Sequence, residues 1–204
     1  MRHEALLFAS GNRNKFVEMQ ELLAPTGMRI LFGGDVRSMD VEETGSTYAG
    51  NALLKARAWA QATGLPAVAD DSGVEVRALD GAPGIFSARV AATDALRNEW
   101  LLEQLARKSA ETPGPGDRAA RYVAALALCF PEEGEIIICE GICRGSILNA
   151  PRGGGGFGYD PLFLPDGQDK SFGELDRSVK QRISHRAIAS FRLVNMLLRR
   201  GMLQ

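Results

Sequence analysis

The sequence predicts an α/β protein with a mixed central sheet flanked by helices. Early in the chain, apolar runs alternate with segments of helical periodicity, as in strands that are joined by helices. Later, the segments RYVAALALCF and EIIICEGICRGSIL are separated only by PEEG, which is typical of an antiparallel hairpin. Because one chain carries both patterns, we expect mixed strand pairing and not a plain doubly wound parallel sheet.

The first half of the chain opens with a strand, a turn and a helix. Ala5 to Ser10 is predicted to be a buried strand, GNRNK a turn, and FVEMQELLA a helix with apolar residues at helical spacing. MRILFG is predicted to be a second strand, and the acidic segment DVRSMDVEETGS a loop. Thr47 to Thr63 is predicted to form a helix that Gly64 closes, followed by a short strand, PAVA, that ends at Asp70 and Asp71.

The second half of the chain is predicted to end in a long helix. We expect a helix over Leu96 to Lys108, an exposed loop over Ser109 to Asp117, and the last helix over Ile183 to Arg200. Ser178 and Gln181 have the spacing of a capping box. The apolar residues of the last helix that we expect to face the core are Ile183, Ala187, Phe191, Val194 and Leu198.

The composition argues against several classes of protein. A chain of 204 residues with 45% apolar content fits one compact domain, or two small lobes that share a core. The net charge of −1 and the pI near 6.2 give no basic excess for nucleic acid or for an anionic membrane. No apolar run is long enough to span a bilayer, and Ala5 to Ala9 is shorter than the core of a secretory signal, so we expect neither feature.

The three cysteines are predicted to be buried and reduced. Cys129, Cys139 and Cys143 are an odd number, and the chain has only two histidines, so no familiar zinc-ligand spacing is present. Free cysteine is among the most buried residue types. A reducing cytoplasm is therefore the expected compartment.

The segment SGNRNK lies where α/β sheets bind ligands, after a strand and before a helix N-terminus. Its small residues would let a phosphate approach, its asparagines offer amide donors, and Lys15 offers a cation. It matches neither a Walker A loop nor a dinucleotide fingerprint. The alternative is an asparagine-rich turn that only caps the helix.

Carboxylates are concentrated at two places. Asp70 and Asp71 follow a predicted strand, and one of them facing a cleft would suit a hard divalent ion such as Mg²⁺. Glu42 and Glu43 could add a further carboxylate ligand. The alternatives are an Asx-turn with a capping serine and a solvated acidic loop.

Two helical regions carry further candidate groups. Asn51 and Lys55 are four residues apart and share a helix face, where Lys55 is either a cleft residue or a snorkelling surface lysine. Near the last helix, Lys180, His185 and Arg186 could donate hydrogen bonds to a base carbonyl or a phosphate. The alternative is an ordinary helix end with an exposed arginine.

The segment GGGGFGYDP, from Gly153 to Pro161, is either a flexible linker or the wall of a pocket. Four consecutive glycines cost backbone entropy and are tolerated where the chain needs unusual dihedrals or close approach. Phe157 offers a face for stacking, and we expect Tyr159 and Asp160 to brace the turn. A linker has no need of FGYDP, which favours the wall.

Taken in order, these motifs resemble the inosine triphosphate pyrophosphatase family. The matching segments run from about residue 5 to residue 200 and are SGNxxK, EETG, NAxxKA, ADDSGxxVxALxGAPGxxSAR, GGFGYDPLF and KxxISHR. The resemblance implies two lobes with an active-site cleft between them, Mg²⁺ as cofactor and a homodimer. It also implies hydrolysis of ITP, dITP and XTP to the monophosphate and pyrophosphate, which removes deaminated purines from the nucleotide pool.

The resemblance also implies a role for each matching residue. The triphosphate would be held by Ser10, Gly11, Asn12, Arg13, Asn14, Lys15 and Lys55. Asp71 would be the catalytic carboxylate and a metal ligand, together with Glu42 or Glu43, and Ser72 would touch the substrate. One side of the base pocket would consist of Phe157, Gly158, Tyr159 and Asp160, while the base and its 6-oxo group would be reached by Lys180, His185 and Arg186.

Two positions depart from the family pattern. Gly50 stands where many relatives have glutamate, and Val90 stands where an aromatic residue is usual after SAR. Metal stoichiometry and the packing of the cleft depend on these positions. Two alternative functions remain open: a pyrophosphatase for modified pyrimidine or standard triphosphates, and a nucleotide sensor that does not cleave its ligand. A nucleic-acid-binding protein is least compatible with the balanced charge.

Overall fold

The computed structural model of this chain describes residues 4–111, 117–132 and 134–203. The strands are β1 Ala5–Phe8, β2 Arg29–Phe32, β3 Ala67–Val76, β4 Ala119–Cys129, β5 Ile136–Ile147 and β6 Phe163–Pro165. The helices are α1 Arg13–Leu22, α2 Gly33–Val36, α3 Tyr48–Thr63, α4 Asp94–Glu111, α5 Arg177–Ile183 and α6 His185–Arg199. No helix in these described ranges combines the length and the apolar character that a membrane span requires.

The predicted mixed sheet is confirmed. Its six strands are ordered β2-β1-β3-β4-β5-β6. β1 pairs in parallel with both β2 and β3, whereas β5 and β6 pair antiparallel. Parallel pairs at one edge and an antiparallel pair at the other agree with the change of pattern along the sequence.

The helix α3 forms where its sequence predicts it. The side chain of Thr47 accepts a hydrogen bond from the Gly50 amide at 3.0 Å and caps the N-terminus. Gly64 ends the helix in the left-handed conformation at a φ of 67°, which glycine adopts without steric cost. Local capping signals therefore suffice to set both ends of this helix.

Several predicted boundaries are wrong. The short helix α2 covers the end of the predicted second strand and the start of the predicted acidic loop. β3 does not end at Asp70 and Asp71 but continues through both residues to Val76. α1 begins at Arg13, inside the predicted turn. α4 extends through Glu111 into the predicted loop, of which residues 112–116 lie outside the described part of the chain.

The last predicted helix, Ile183 to Arg200, corresponds to α6, which begins two residues later at His185. The sequence did not predict the short helix α5 before it, and Ser184 is extended between the two helices. Asp176 caps α5 by accepting a hydrogen bond from the Ser178 amide, so the predicted capping box of Ser178 and Gln181 is wrong. The predicted core face of α6 is wrong in part, because Phe191 is 71% exposed and Leu198 is 44% exposed. The buried residues of α6 include Ala189, Leu193 and Leu197, which are offset from the predicted stripe.

The chain divides into two compact units, each with its own core. The first unit comprises Met1–Asp71, Ala124–Gly141 and His185–Gln204, and the second comprises Ser72–Val123 and Ile142–Ser184. The core of the first unit includes Phe8, Phe16, Met19, Leu126 and Leu193. The core of the second unit includes Val74, Leu101, Tyr122, Phe163 and Phe172. The predicted cysteine burial is confirmed, since all three thiols are free and buried.

Candidate active site

A buried ion-pair cluster in the first unit brings together α1, β3 and α6. The Lys15 Nζ atom lies 2.6 Å from Asp70 Oδ2, and the Arg186 Nε atom lies 3.3 Å from the same oxygen. Arg186 also pairs with Glu18 of α1 at 3.1 Å. The Asp70 side chain has no exposed surface, so its charge depends on these partners.

The two cations determine the charge state of Asp70. Burial alone would raise the pKa of this carboxyl group, because a buried charge loses its hydration. The nearby charges of Arg186 and Lys15 outweigh burial and lower the pKa far below its ordinary value. Asp70 is therefore ionised, and its function in the cluster is to hold the two cations in place.

A second group of charges forms around Lys55 on α3. The Lys55 ammonium contacts the Glu43 carboxylate, lies 2.9 Å from the Asp70 carbonyl oxygen and lies 3.4 Å from Asp71 Oδ1. Asp70 and Asp71 thus face different partners, as expected for neighbours on a strand whose side chains alternate. Of the two glutamates considered, Glu43 joins this group, while Glu42 is exposed.

Asn51 holds Asp71 and the acidic loop together. Its amide nitrogen donates to Asp71 Oδ2 at 3.2 Å, and its amide oxygen accepts from the Gly45 amide at 2.8 Å. The Asn51 side chain is completely buried. The sequence predicts that Asn51 shares a helix face with Lys55, but it assigns Asn51 no role in the site. The available signal was that shared helix face, because Lys55 at the next turn also contacts Asp71.

The surroundings of Asp71 suit a proton acceptor. Burial raises the pKa of this carboxyl group, the Lys55 charge opposes the shift, and the Glu43 carboxylate adds to it. A raised pKa brings a carboxylate closer to the basicity that general-base catalysis requires near neutral pH. Asp71 is therefore chemically distinct from its ionised neighbour Asp70.

The oxygen ligands around Lys55 fit Mg²⁺. The carboxylates of Glu43 and Asp71 and the Asp70 carbonyl oxygen already converge on one cation, the Lys55 ammonium. Within the described ranges, no three carboxylate, imidazole or thiol groups come close enough to hold a metal ion on their own. Magnesium commonly uses one or two carboxylates and takes its other ligands from water and substrate phosphates, which this pair of carboxylates permits.

The loop before α1 forms a capped helix N-terminus. Asn12 is the N-cap, and its side chain accepts from the Lys15 amide at 3.0 Å, while the Asn12 amide donates to Ser10 Oγ at 3.1 Å. This is the capping geometry that the alternative interpretation of the segment requires. Gly11 and Asn14 are exposed beside it, so the capped turn and an accessible helix N-terminus occur together.

Arg13 is positioned differently from Lys15. Its guanidinium pairs with Asp35 at 2.8 Å and lies 4.2 Å from the centroid of the Phe32 ring. Lys15 instead joins the cluster around Asp70. The structure therefore brings Lys15, but not Arg13, together with Asp70.

In the second unit, the segment Phe157 to Asp160 forms a braced turn. Asp160 Oδ2 accepts from the Phe157 amide at 2.8 Å, and the Tyr159 hydroxyl donates to the Ser87 carbonyl at 2.8 Å. The predicted bracing by Tyr159 and Asp160 is confirmed. Both side chains are buried, whereas Phe157 is half-buried.

The glycines before this turn are required by contacts within the protein. A Cβ atom on Gly153 would lie 2.1 Å from the Gly173 carbonyl oxygen, and one on Gly156 would lie 2.0 Å from Asp160 Oδ2. Both residues have positive φ, at 77° and 71°. Gly153 and Gly156 are therefore explained by contacts within their own unit, which argues against the linker interpretation, whereas a Cβ atom on the exposed Gly154 would meet nothing within 4 Å.

Lys180 of α5 closes one side of the turn. Its ammonium lies 2.5 Å from Asp160 Oδ2 and 4.8 Å from the centroid of the Phe157 ring. The distance to the ring is within the range of a cation–π interaction. The structure thus brings together Lys180, Phe157 and Asp160, as the sequence motifs implied.

The other residues that were predicted to contact the substrate lie outside this turn. Arg186 is engaged by Asp70 and Glu18 in the first unit, and it is 5% exposed. His185 is buried at the start of α6, where Gly141 comes so close that a Cβ atom would lie 2.0 Å from the His185 carbonyl oxygen. Ser72 directly follows Asp71 and is half-buried. Their contacts with a substrate stay predictions.

Two residues that bind the turn were not anticipated from the sequence. Asp94 and Asn98, at the beginning of α4, form hydrogen bonds with the backbone of Gly158. The Asp-x-x-x-Asn spacing places both on one helix face, which was the only local signal. Their target is about sixty residues away in the sequence, and no local pattern identifies it.

Comparison with known proteins identifies close relatives along almost the whole chain. The present chain is 47% identical to the dITP/XTP pyrophosphatase of Thermus thermophilus, and the alignment covers 93% of this chain and 89% of the relative. The chain is 48% identical to the dITP/XTP pyrophosphatase of Deinococcus radiodurans, in an alignment that covers 90% of this chain and 88% of the relative.

Solved structures agree with the sequence relatives. A HAM1 protein from Coxiella burnetii has a TM-score of 0.84 at 40% identity, covering 96% of this chain and 98% of that one. The Staphylococcus aureus Ham1 protein has a TM-score of 0.82 at 34% identity, and the superposition covers 96% of this chain and 99% of that protein. The Ham1 family model matches residues 6–196, and this chain therefore belongs to the Ham1 family.

Proposed function

We propose that this protein hydrolyses the triphosphates of deaminated purines, namely ITP, dITP and XTP, to the nucleoside monophosphate and pyrophosphate. The observation that carries the proposal is its high identity, along almost the whole chain, with relatives named dITP/XTP pyrophosphatases. The local chemistry agrees with it, because the first unit holds cations beside carboxylates and the second holds an aromatic turn.

In the proposed reaction, Asp71 acts on the attacking water. The water oxygen bonds to the α-phosphorus, the bond between that phosphorus and the oxygen leading to the β-phosphate breaks, and the water proton passes to the Asp71 carboxylate. Its raised pKa suits this proton transfer. Lys15 and Lys55 stabilise the negative charge that develops on the departing pyrophosphate.

Magnesium is the proposed cofactor. Asp71 and Glu43 would hold the ion, and Glu42 is the alternative ligand that the sequence leaves open. When bound, Mg²⁺ supplies positive charge to the phosphate oxygens. Asn51 would keep the two ligand-bearing segments in register, because it bonds both Asp71 and the loop that follows Glu43.

Base selection is assigned to the second unit. We propose that the base stacks on Phe157, next to Gly158, and that Lys180 donates toward its 6-oxo group. An adenine base presents a 6-amino group instead, which would leave such a donor without an acceptor. Mismatches of this kind can discriminate by about 10⁴-fold.

The proposed assembly is a cytoplasmic homodimer. The resemblance to the inosine triphosphate pyrophosphatase family supports the dimer, and three buried free thiols are compatible with a reducing compartment. Light scattering coupled to size-exclusion chromatography should give about twice the 22.0 kDa of one chain. A mass of one chain at micromolar concentration would contradict the dimer.

The function is tested by measuring pyrophosphate release from ITP, dITP, XTP, GTP, ATP and dUTP, with Mg²⁺ and with EDTA. We expect Mg²⁺-dependent release from the first three and far less from the others. Equal release from all six would retain the reaction but overturn the base selectivity. Binding of nucleotide without release from any of them would indicate a sensor and overturn the proposal.

A further inference from the structure

We infer that Asp94 and Asn98 are positioning residues that fix the Phe157–Gly158–Tyr159 backbone and thereby set the selectivity for the nucleobase. The inference deepens the proposed function and rests on it. It assigns part of the selectivity to the first turns of α4, a helix that contributes no residue to the sequence motifs of the site.

The contacts fix two consecutive peptide groups. The Gly158 amide donates to Asp94 Oδ2 at 2.7 Å, which sets the plane of the Phe157–Gly158 peptide. The Asn98 Nδ2 atom donates to the Gly158 carbonyl at 3.0 Å, which sets the plane of the Gly158–Tyr159 peptide. Both planes are thus held by side chains one helical turn apart on α4.

Asp94 and Asn98 are themselves held in place. Asn98 Nδ2 also donates to the Asp94 carbonyl at 2.8 Å, and Asn98 is buried. Arg97 pairs with Asp94 Oδ1 at 2.7 Å and donates through Nε to the Ala91 carbonyl at 2.9 Å. The two carboxylate oxygens of Asp94 therefore serve different partners, one on the helix and one on the turn.

The turn needs this external support at Gly158 in particular. Gly158 has a φ of 64°, and a Cβ atom there would meet nothing within 4 Å. Neighbouring atoms therefore do not restrain it sterically, and glycine is the residue with the most freedom to rotate. Phe157 and Tyr159 are anchored on either side by Asp160 and Ser87. Hydrogen bonds from α4 are what restrain the residue between them.

Fixing Gly158 orients the Phe157 ring. A change in the Phe157–Gly158 peptide plane would tilt the ring, whose centroid lies 4.8 Å from the Lys180 ammonium. Small displacements of a positioning group have large effects on a bound substrate. We therefore expect loss of either α4 contact to weaken base recognition and to spare the contacts with the phosphates.

The test compares Asp94→Ala, Asp94→Asn, Asn98→Ala and the control Glu99→Ala. Glu99 is exposed on the same helix. Asp94→Asn keeps an oxygen that can accept from Gly158 and should rescue what Asp94→Ala loses. For each variant, kcat and KM are measured with XTP and ATP, together with the inhibition constant of inorganic tripolyphosphate, which has no base.

We expect Asp94→Ala and Asn98→Ala to raise KM for XTP about tenfold, the value of one hydrogen bond, and to reduce the preference for XTP over ATP. The kcat and the tripolyphosphate inhibition constant of these two variants should stay near the wild-type values. Asp94→Asn and Glu99→Ala should match wild type in every measurement. Because Asp94 is partly exposed, its variants test the inference even if Asn98→Ala fails to fold.

Two results would overturn the inference alone. In the first, the wild type is active, but Asp94→Ala and Asn98→Ala keep its KM and its selectivity. The other is a parallel change in kcat, KM and tripolyphosphate inhibition, which would indicate a general structural role. A wild type that releases pyrophosphate from no substrate would instead overturn the proposed function, and the inference with it.

Discussion

The two units position their candidate functional groups by different means. In the first, buried charges are held by opposite charges, as Asp70 is by Lys15 and Arg186. In the second, an aromatic turn is held by hydrogen bonds to its backbone, as Gly158 is by Asp94 and Asn98. Removing a charge leaves its partner buried and uncompensated, whereas removing a hydrogen bond mainly changes a position. The first unit should therefore respond to substitution in rate or stability, and the second in selectivity.

The largest effect is expected for Asp71→Asn, which removes the proposed proton acceptor. Turnover of XTP should fall by about 10²–10⁴-fold, the usual contribution of a general base. The melting temperature should stay close to that of wild type, because asparagine keeps the size of the side chain and one acceptor oxygen, and Glu43 still pairs with Lys55.

Asp40→Asn is the matched control, since Asp40 is an exposed residue of the acidic loop. Its steady-state kinetics should equal those of wild type. Ordinary turnover by a folded Asp71→Asn protein would contradict the role given to Asp71.

Arg186→Met should reveal the cost of breaking the buried charge cluster. Asp70 and Glu18 would each lose a cation, and we expect the free energy of unfolding in urea to fall by about 3–5 kcal/mol. Arg192→Met is the control, because Arg192 is exposed and its guanidinium donates to a backbone carbonyl, that of Glu140, at 2.7 Å. A stable Arg186→Met protein with altered base preference would favour the base contact that the family resemblance implies.

Asn51→Ala should reduce activity and stability together. It leaves the Gly45 amide and one Asp71 oxygen without their partner, at a cost of about 1–3 kcal/mol in unfolding free energy. We expect turnover to fall about tenfold, with a higher Mg²⁺ concentration needed for half-maximal rate. Gln61→Ala, an exposed position on the same helix, serves as the control. Unchanged Mg²⁺ dependence would limit Asn51 to a structural role.

Phe157→Ala should sharpen the contrast between the units. Stacking of a base on an aromatic side chain contributes about 1–3 kcal/mol, so KM for XTP should rise by roughly 5–150-fold. The tripolyphosphate inhibition constant should stay constant. Phe191→Ala removes an equally large ring at a position that is 71% exposed, and its kinetics should not change. A wild-type KM in Phe157→Ala would remove the turn from base recognition.

The smallest effect concerns the thiols, which belong to neither site. Burial, with the Asp166 carboxylate, raises the pKa of Cys143 to about 12, and burial also raises the pKa of Cys129 and of Cys139. At pH 8 the folded protein should resist a thiolate-specific reagent that modifies all three cysteines in guanidinium chloride. Rapid labelling of the folded protein would contradict this burial.

The raised pKa of Cys143 makes the stability of the protein depend on pH. Above pH 9 the Cys143 thiol ionises in the unfolded chain, but in the folded chain it stays protonated up to about pH 12. The stability that this thiol contributes is therefore complete below pH 9 and is lost across that window. Cys143→Ala should flatten the decline in urea stability between pH 9 and 11.

Local patterns predicted the elements but not what the buried charges bind. The ends of α3 are set by Thr47 and Gly64, which are visible in the sequence. β3 was predicted too short because Asp70 and Asp71 interrupt an apolar run. Their burial depends on Lys15, Lys55 and Arg186, and these partners are distant in sequence, so no local pattern reveals them.

The candidate site shows the same limit. Motifs identified Asp71, Lys55 and the Phe157 turn, since each motif specifies its own residues. The motif NAxxKA contains Asn51 but gave it no role, and no motif contains Asn98; the importance of both residues comes from the groups they contact. Helix α6 shows a related error, because the neighbouring elements, and not the periodicity alone, select which of its faces is buried.

The most direct test of whether the first unit performs the chemistry and the second selects the base is kcat/KM for XTP and for ATP in wild type, Asp71→Asn and Phe157→Ala. The account expects Asp71→Asn to lower both values by the same factor, which preserves the preference for XTP. It expects Phe157→Ala to lower the XTP value more and to erode that preference. The opposite pattern, with selectivity lost in Asp71→Asn and preserved in Phe157→Ala, would contradict the assignment of chemistry to the first unit and base selection to the second.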